Sequence, residues 1–270
     1  MDKLVTNAAE AVADIPHGAS IAVGGFGLSG IPWVLIAALL EQGASRLTIV
    51  SNNCGVDGAG LGVLLAQGRI DRVIASYIGE NKEFARQFLG GELQVELTPQ
   101  GTLAERMRAG GAGIAAFFTP TGVGTMVADG GLPWRYDPDG GVAMSSPPKE
   151  VREFSLGGRR REYVLEEGIV TDVALARAAV ADRHGNAVFH AAARNFNPAA
   201  AMAGRLTVLE AERIVEPGEI PPDEVHLPGV FVQRVVALTP EQADDKRIEK
   251  RTTSVRPDAP AAGAGEELGS

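Results

Sequence analysis

Three side-chain amides stand where a sheet protein can use them. Asn52 and Asn53 follow the apolar run at 47–50, and Gln100 follows the run at 93–97 and Pro99. An amide offers N–H donors without a charge, so at a sheltered site it can hold a carbonyl or carboxylate oxygen and stabilise a developing oxyanion. Each position also has a plainer reading. Asparagine tolerates turns, and a glutamine at a helix start can bond its own backbone. A glycine-rich loop, Gly24-Gly25-Phe26-Gly27-Leu28-Ser29-Gly30, adds a fourth feature. Gly25, Gly27 and Gly30 fit G-x-G-x-x-G between a strand and a helix, the setting of a dinucleotide fingerprint. That fingerprint also needs an acid after the second strand, and Ser51-Asn52-Asn53 supplies none before Asp57. A tight turn without a phosphate is the other reading.

Among the carboxylates, Glu80 in Gly79-Glu80-Asn81 follows the apolar run at 70–78. The same position suits a helix-start acid, stabilised by the helix dipole. Glu166 and Glu167 are adjacent, so on a strand they face opposite sides and form no acid/base pair. Arg159-Arg160-Arg161 reads as a hairpin tip, and Arg106 and Arg108 as surface or interface charges. A single cysteine, Cys54, excludes a disulfide within the chain, and four scattered histidines argue against a metal centre. The formal net charge of −9 argues against a broad nucleic-acid face. Residues 19–40 and 109–128 are uncharged, but glycines and prolines interrupt both, so neither reads as a membrane span. Asp2, Lys3 and Glu10 interrupt any secretion signal. The expectation is a soluble, cytoplasmic protein.

These residues need elements to hold them. Leu4, Ala8 and Val12 share a helical face that ends at Pro16-His17-Gly18. Strands are expected at 21–23, 47–50, 70–78 and 93–97, with helices at 33–42, 81–89 and 103–108. Short loops joining strands to helices imply an α/β fold: a central, mainly parallel sheet with helices on both faces. In the second half, hairpins at 151–165 and 172–190 and strands at 206–210 and 230–238 imply antiparallel additions to that body. Residues 1–240 are expected to form one domain, 241–257 a C-terminal extension and 258–270 a disordered tail rich in Ala, Gly, Pro and Glu.

The same stretches resemble the alpha (A) subunit of family I 3-oxoacid CoA-transferases. The likeness runs through Val23-Gly-Gly-Phe-Gly-Leu-Ser-Gly-Ile-Pro32, Val50-Ser-Asn-Asn53, Gly79-Glu-Asn81, Glu96-Leu-Thr-Pro-Gln-Gly-Thr-Leu-Ala-Glu-Arg106 and Arg194-Asn-Phe-Asn197, in order across about residues 1–238. It implies transfer of CoA from an acyl-CoA, such as succinyl-CoA, to a 3-oxoacid such as acetoacetate. It also implies a beta-subunit partner in a heterodimer or heterotetramer. That partner brings the nucleophilic glutamate, which forms anhydride and glutamyl-thioester intermediates. Because that glutamate lies in a Glu-Asn-Gly setting and the two subunits have related folds, the resemblance makes Glu80 the one plausible nucleophile within this chain. CoA enters as a cosubstrate, with no bound cofactor and no metal. Gln100 then resembles the oxyanion-stabilising amide, and Asn52 and Asn53 resemble acyl-pocket residues. Gly24, Gly25, Phe26 and Gly27 resemble the loop beside the thioester, where Phe26 can shield the anhydride from water. Related chains often carry Lys-Ser where this one has Ala191-Ala192. A 3-oxoadipate CoA-transferase alpha subunit shares these motifs. A ligand-binding regulator on the same fold is a further alternative, but it lacks the basic helix-turn-helix such a chain needs.

Overall fold

The structure, a computed structural model, describes residues 1–79 and 81–246. The chain opens with β1 (Leu4–Val5) and α1 (Ala8–Val12), then alternates. It continues through β2 (Ser20–Val23), α2 (Trp33–Gln42), β3 (Leu47–Val50), α3 (Gly62–Ala66), β4 (Ile70–Ala75), α4 (Lys82–Leu89), β5 (Gln94–Leu97) and α5 (Gln100–Gly111). An excursion follows: β6 (Ala116–Thr119), α6 (Met126–Asp129), β7 (Pro133–Tyr136), β8 (Val142–Ser145), β9 (Val151–Leu156) and β10 (Arg159–Glu167). The chain then returns to the main sheet with β11 (Thr171–Asp182), β12 (Ala187–Val188), α7 (Asn197–Ala203), β13 (Gly204–Val215), β14 (Arg234–Ala237) and α8 (Pro240–Asp244).

Among the described residues the central sheet has nine strands, ordered β1-β14-β13-β11-β2-β3-β4-β5, with β12 paired to β11. Every ladder in it is parallel except β11–β12. Successive strand residues serve opposite faces, and both faces are covered. Ile21 and Val23 join the core under α1–α4 with Leu35, Leu39, Leu64 and Phe84. Ala22 between them joins the core under α5 and α7 with Leu103, Met107 and Ala200. Burial on both sides explains why these strands read as unbroken apolar runs.

Several expectations shift by a few residues, each for a local reason. Leu4 lies in β1, paired to Val235, because the Asn7 side chain accepts from the Glu10 N–H and starts α1 only at Ala8. The strand expected at 70–78 stops at Ala75, where its pairing to Leu97 ends. Helix α3 had no sequence signal, since glycines at 55, 58, 60 and 62 obscure its one apolar turn. In the second half the long strands β11 and β13 and the short β14 are parallel members of the main sheet. The antiparallel additions are β12, the sheet β6-β10-β9 and the hairpin β7-β8. Arg159 and Arg160 do form a solvent-facing hairpin start, after Gly157 and Gly158 at positive φ. Of the expected extension at 241–257, residues 241–246 are described. The expected tail at 258–270 lies outside the described residues.

Candidate active site

Four neighbouring strands, β2 to β5, end on the same side of the sheet, and the loops after them meet there. Ligands in open parallel sheets bind at this carboxyl edge. A cavity of about 510 Å³ opens between the loops. Phe26 and Gly27 come from the loop after β2, Asn52, Asn53, Gly55 and Val56 from that after β3, Ser76, Tyr77 and Gly79 from that after β4, and Gln100 from that after β5. None of these lining residues carries a charge at neutral pH.

The amides form a directed chain. Gln100 Nε2 donates to Asn52 Oδ1 at 2.7 Å, and Ser76 Oγ donates to the same oxygen at 2.8 Å. Asn52 Nδ2 donates to Asn53 Oδ1 at 3.3 Å, and Asn53 Nδ2 to the Gly55 carbonyl at 3.3 Å. The Gly27 N–H also donates to Asn53 Oδ1, at 3.1 Å. Asn52 and Asn53 are buried, while Gln100 is exposed to the cavity. Two donors saturate Asn52 Oδ1 and fix the Gln100 amide plane. The second Nε2 proton of Gln100 has no partner among the described residues, so it remains available to an incoming oxygen.

Helix α5 sets the position of Gln100, its first residue. Pro99, with φ −52° and ψ 135°, holds the extended turn before it. Farther along, Arg106 is an internal strut rather than a surface charge. Its Nη1 meets Glu96 Oε1 at 2.7 Å, and its Nε donates to the Glu167 carbonyl at 2.9 Å. Arg72 on β4 holds the other Glu96 oxygen at 2.6 Å. Burial pushes the Glu96 carboxyl up, but the two guanidinium groups outweigh it and hold the pKa below the usual range. Glu96 thereby ties β4, β5 and α5 together beneath the site. Arg108 pairs with exposed Glu105. Glu166 is buried against Lys149 at 2.6 Å, and Glu167 is exposed, on opposite faces as the alternation requires.

The glycine loop divides. Phe26, 48% exposed, and Gly27 reach the cavity, whereas Gly24 and Gly25 are buried behind them. Phe26 and Ser29 exchange two backbone hydrogen bonds of 3.1 and 2.9 Å, closing a tight turn. Helix α2 begins only after it, and its Leu35 N–H donates to Glu210 Oε2 at 2.9 Å. Glu210 is fully buried on β13. A carboxylate of the chain itself thus takes up a backbone donor in the first turn of α2, the kind of donor a dinucleotide pyrophosphate would use.

Glu80 lies outside the described residues. Its neighbours are placed: Gly79 lines the cavity, and Asn81 caps α4 by accepting from the Phe84 N–H at 2.9 Å. Cys54 is fully buried, and burial pushes its thiol far up, out of the range of a thiolate nucleophile. Among the described residues no three His, Cys, Asp or Glu side chains gather closely enough to hold a metal. No helix among them is long and apolar enough to cross a membrane.

The Coenzyme A transferase family model matches residues 5–238. A relative from Mycobacterium tuberculosis, named as the probable A subunit of a succinyl-CoA:3-ketoacid coenzyme A transferase, is 65% identical over 252 residues, covering 93% of this chain and 99% of that protein. The chain belongs to the coenzyme A transferase family. The Bacillus subtilis protein of the same name is 54% identical, covering 93% of this chain and 95% of its own length. The human "Succinyl-CoA:3-ketoacid coenzyme A transferase 2, mitochondrial" is 49% identical over 93% of this chain, which spans only 47% of that protein. The fold is shared with the glutaconate coenzyme A-transferase of Acidaminococcus fermentans. That match has a TM-score of 0.70 at 23% identity, over 90% of this chain and 77% of the other.

Sequence reading of this transferase chain misses Ser76 and Tyr77, because the apolar run at 70–78 reads as one strand through them. The missed signal is the rule that applied to Asn52 and Gln100: polar residues just past a strand's carboxyl end. It also misses Glu210 and Arg177, whose apolar neighbours on β13 and β11 mark them as strand-core positions.

Proposed function

We propose that this chain is the alpha subunit of a succinyl-CoA:3-oxoacid CoA-transferase, working with a beta subunit that brings the nucleophilic glutamate. The observation that carries this reading is the uncharged cavity. It presents oriented amides and no carboxylate among the described lining residues, which supports a site whose attacking carboxylate is brought by a partner. The family relationship agrees with that division, as do the names of the bacterial relatives, each an A subunit.

The reaction then runs as exchanges at acyl carbons. The partner glutamate adds to the acyl-CoA carbonyl, and the carbonyl oxygen becomes an oxyanion. That oxyanion collapses, expels the CoA thiolate and leaves an acyl–glutamyl anhydride. The thiolate attacks the glutamyl carbonyl, giving a glutamyl thioester and releasing the first acid. The incoming 3-oxoacid carboxylate repeats the sequence in reverse. The free Gln100 N–H donates to the oxyanion in each addition. A neutral donor serves better here than another carboxylate would, because a negative group would repel both the oxyanion and the incoming acids. Asn52 and Asn53 hold Gln100 and line the acyl side of the cavity, and Phe26 covers it against water. CoA is a cosubstrate throughout.

Co-expression with the partner subunit tests the reading. The purified complex should convert succinyl-CoA and acetoacetate to acetoacetyl-CoA, the chain alone should not, and acceptor profiling should rank acetoacetate above 3-oxoadipate. Robust activity in the chain alone, lost on Glu80→Ala, would overturn the two-subunit scheme.

A further inference from the structure

The strongest unassigned feature is a buried side chain that touches both ends of the glycine loop. Asn197 has no exposed surface, and each of its polar atoms is used. Its Nδ2 donates to the Gly30 carbonyl at 2.9 Å and the Ala193 carbonyl at 2.8 Å, and its Oδ1 accepts from the Arg177 N–H at 3.0 Å. At the loop's other end a Cβ on Gly24 would lie 2.0 Å from Asn197 Oδ1. Only glycine fits there. Asn195 adds a tether, its Nδ2 donating to the Ser29 carbonyl at 3.1 Å. The loop is thus gripped from behind at 24, 29 and 30. Its front, Phe26 and Gly27, lines the cavity, and the Gly27 N–H bonds Asn53.

We infer that Asn197 is a positioning residue that decides between CoA transfer and hydrolysis. It acts through the loop rather than on substrate, and the inference rests on the transferase reading above. Hydrolysis is the side reaction a loosened loop admits. Water adds to an anhydride carbonyl, the C–O bond to the other acyl group breaks, and two carboxylic acids form. The net change is acyl-CoA plus water to free acid plus CoA thiol. Asn197 restrains this by keeping Phe26 over the intermediate and the Gly27 N–H on Asn53. The same register keeps the amide chain to Gln100 aligned.

The test is made on the co-purified complex, measuring free CoA release and acetoacetyl-CoA formation in the same reaction. Asn197→Ala should raise the ratio of hydrolysis to transfer by about tenfold or more. It should lower kcat for transfer more than it changes KM for succinyl-CoA. Asn195→Ala, which leaves the buried Asn197 network in place, should raise the ratio by a smaller factor. It keeps the proposal testable if Asn197→Ala fails to fold. Val235→Ala on remote β14 is the control, with lowered Tm and an unchanged ratio. A wild-type ratio in both asparagine variants would overturn the inference while leaving the transferase reading intact. A wild-type complex without transfer activity would instead end the transferase reading itself.

Discussion

Helix α2 follows β2 after the glycine loop and α5 follows β5 after two residues, both in the same parallel sheet, yet their N-termini meet opposite surroundings. At α2 the backbone donor of Leu35 is held by Glu210, a carboxylate with no exposed surface. At α5 Pro99 precedes the first turn and no side chain caps it, and Gln100 stands exposed over a cavity. A helix N-terminus favours an anion in both cases. In α2 the chain's own buried carboxyl group fills that place. In α5 the neighbourhood is left to oxygens that arrive and depart with the chemistry. A fixed internal carboxylate makes a brace, and an open amide makes a site.

The largest expected effect lies on the open side. Gln100→Ala should lower kcat by roughly 100- to 1,000-fold, the cost of losing one oxyanion donor. Gln100 is exposed, and its side chain bonds only Asn52 among the described residues, so Tm should move by no more than about 1 °C. Steady-state kinetics and thermal unfolding of the same complex check both halves. A large drop in Tm would make Gln100 a brace like Glu210 and dissolve the contrast.

The closed side should respond the other way. Glu210→Ala leaves Arg177, 6% exposed at its side chain, with Glu212 as its remaining ion-pair partner among the described residues, and orphans a donor of α2. Breaking a buried pair of this kind costs about 3 kcal/mol. In a chain of this size that lowers Tm by roughly 6 to 12 °C. The residual folded complex should keep its ratio of transfer to hydrolysis.

A gentler substitution sharpens the point through pH. Burial raises the Glu210 carboxyl from 4.5 to about 7, against the opposing pull of Arg177 and the α2 backbone donors. The native state therefore binds this proton more tightly than the unfolded chain does. The resulting contribution to stability is complete below about pH 4.5, falls as pH rises, and is gone above about 7. The span corresponds to as much as about 3 kcal/mol. Glu210→Gln should remove that part of the pH dependence, read from urea midpoints between pH 4 and 8. An unchanged profile would mean that another group carries it.

The two helix starts were not equally legible. Gln100 stood out because a polar residue after an apolar strand and a proline invites a chemical reading. Asn52 and Asn53 stood out for the same reason, and the sheet order brings all three loops together. Glu210 and Asn197 did not stand out. Glu210 sits inside an apolar strand, where one carboxylate says nothing about a helix start 175 residues earlier. Asn197 was visible only as part of a motif, since its work depends on a contact with Gly24 that folding alone creates. The parallel sheet was readable because local hydrophobic runs report it. The pairing of β11 with both β2 and β13 was not, because strand order is a long-range choice. Arg106 illustrates the same limit: one helical arginine reads as solvated until a strand carboxylate is placed beside it.

The smallest effect probes how Gln100 is held. Ser76 Oγ lies 2.8 Å from Asn52 Oδ1, the oxygen that also accepts from Gln100. Ser76→Ala deletes one of the two bonds fixing that oxygen, a change of about 0.5–1.5 kcal/mol. The expected loss is about 3- to 10-fold in kcat, with KM for succinyl-CoA unchanged. Ser76→Thr, which keeps the hydroxyl, should recover most of the rate. A double-mutant cycle gives the decisive reading. If Ser76 acts only by orienting Asn52 and thereby Gln100, its effect should vanish in the Gln100→Ala background. Additive losses would show instead that the Ser76 hydroxyl meets the substrate itself, and the open helix start would then share its chemistry with the loop after β4.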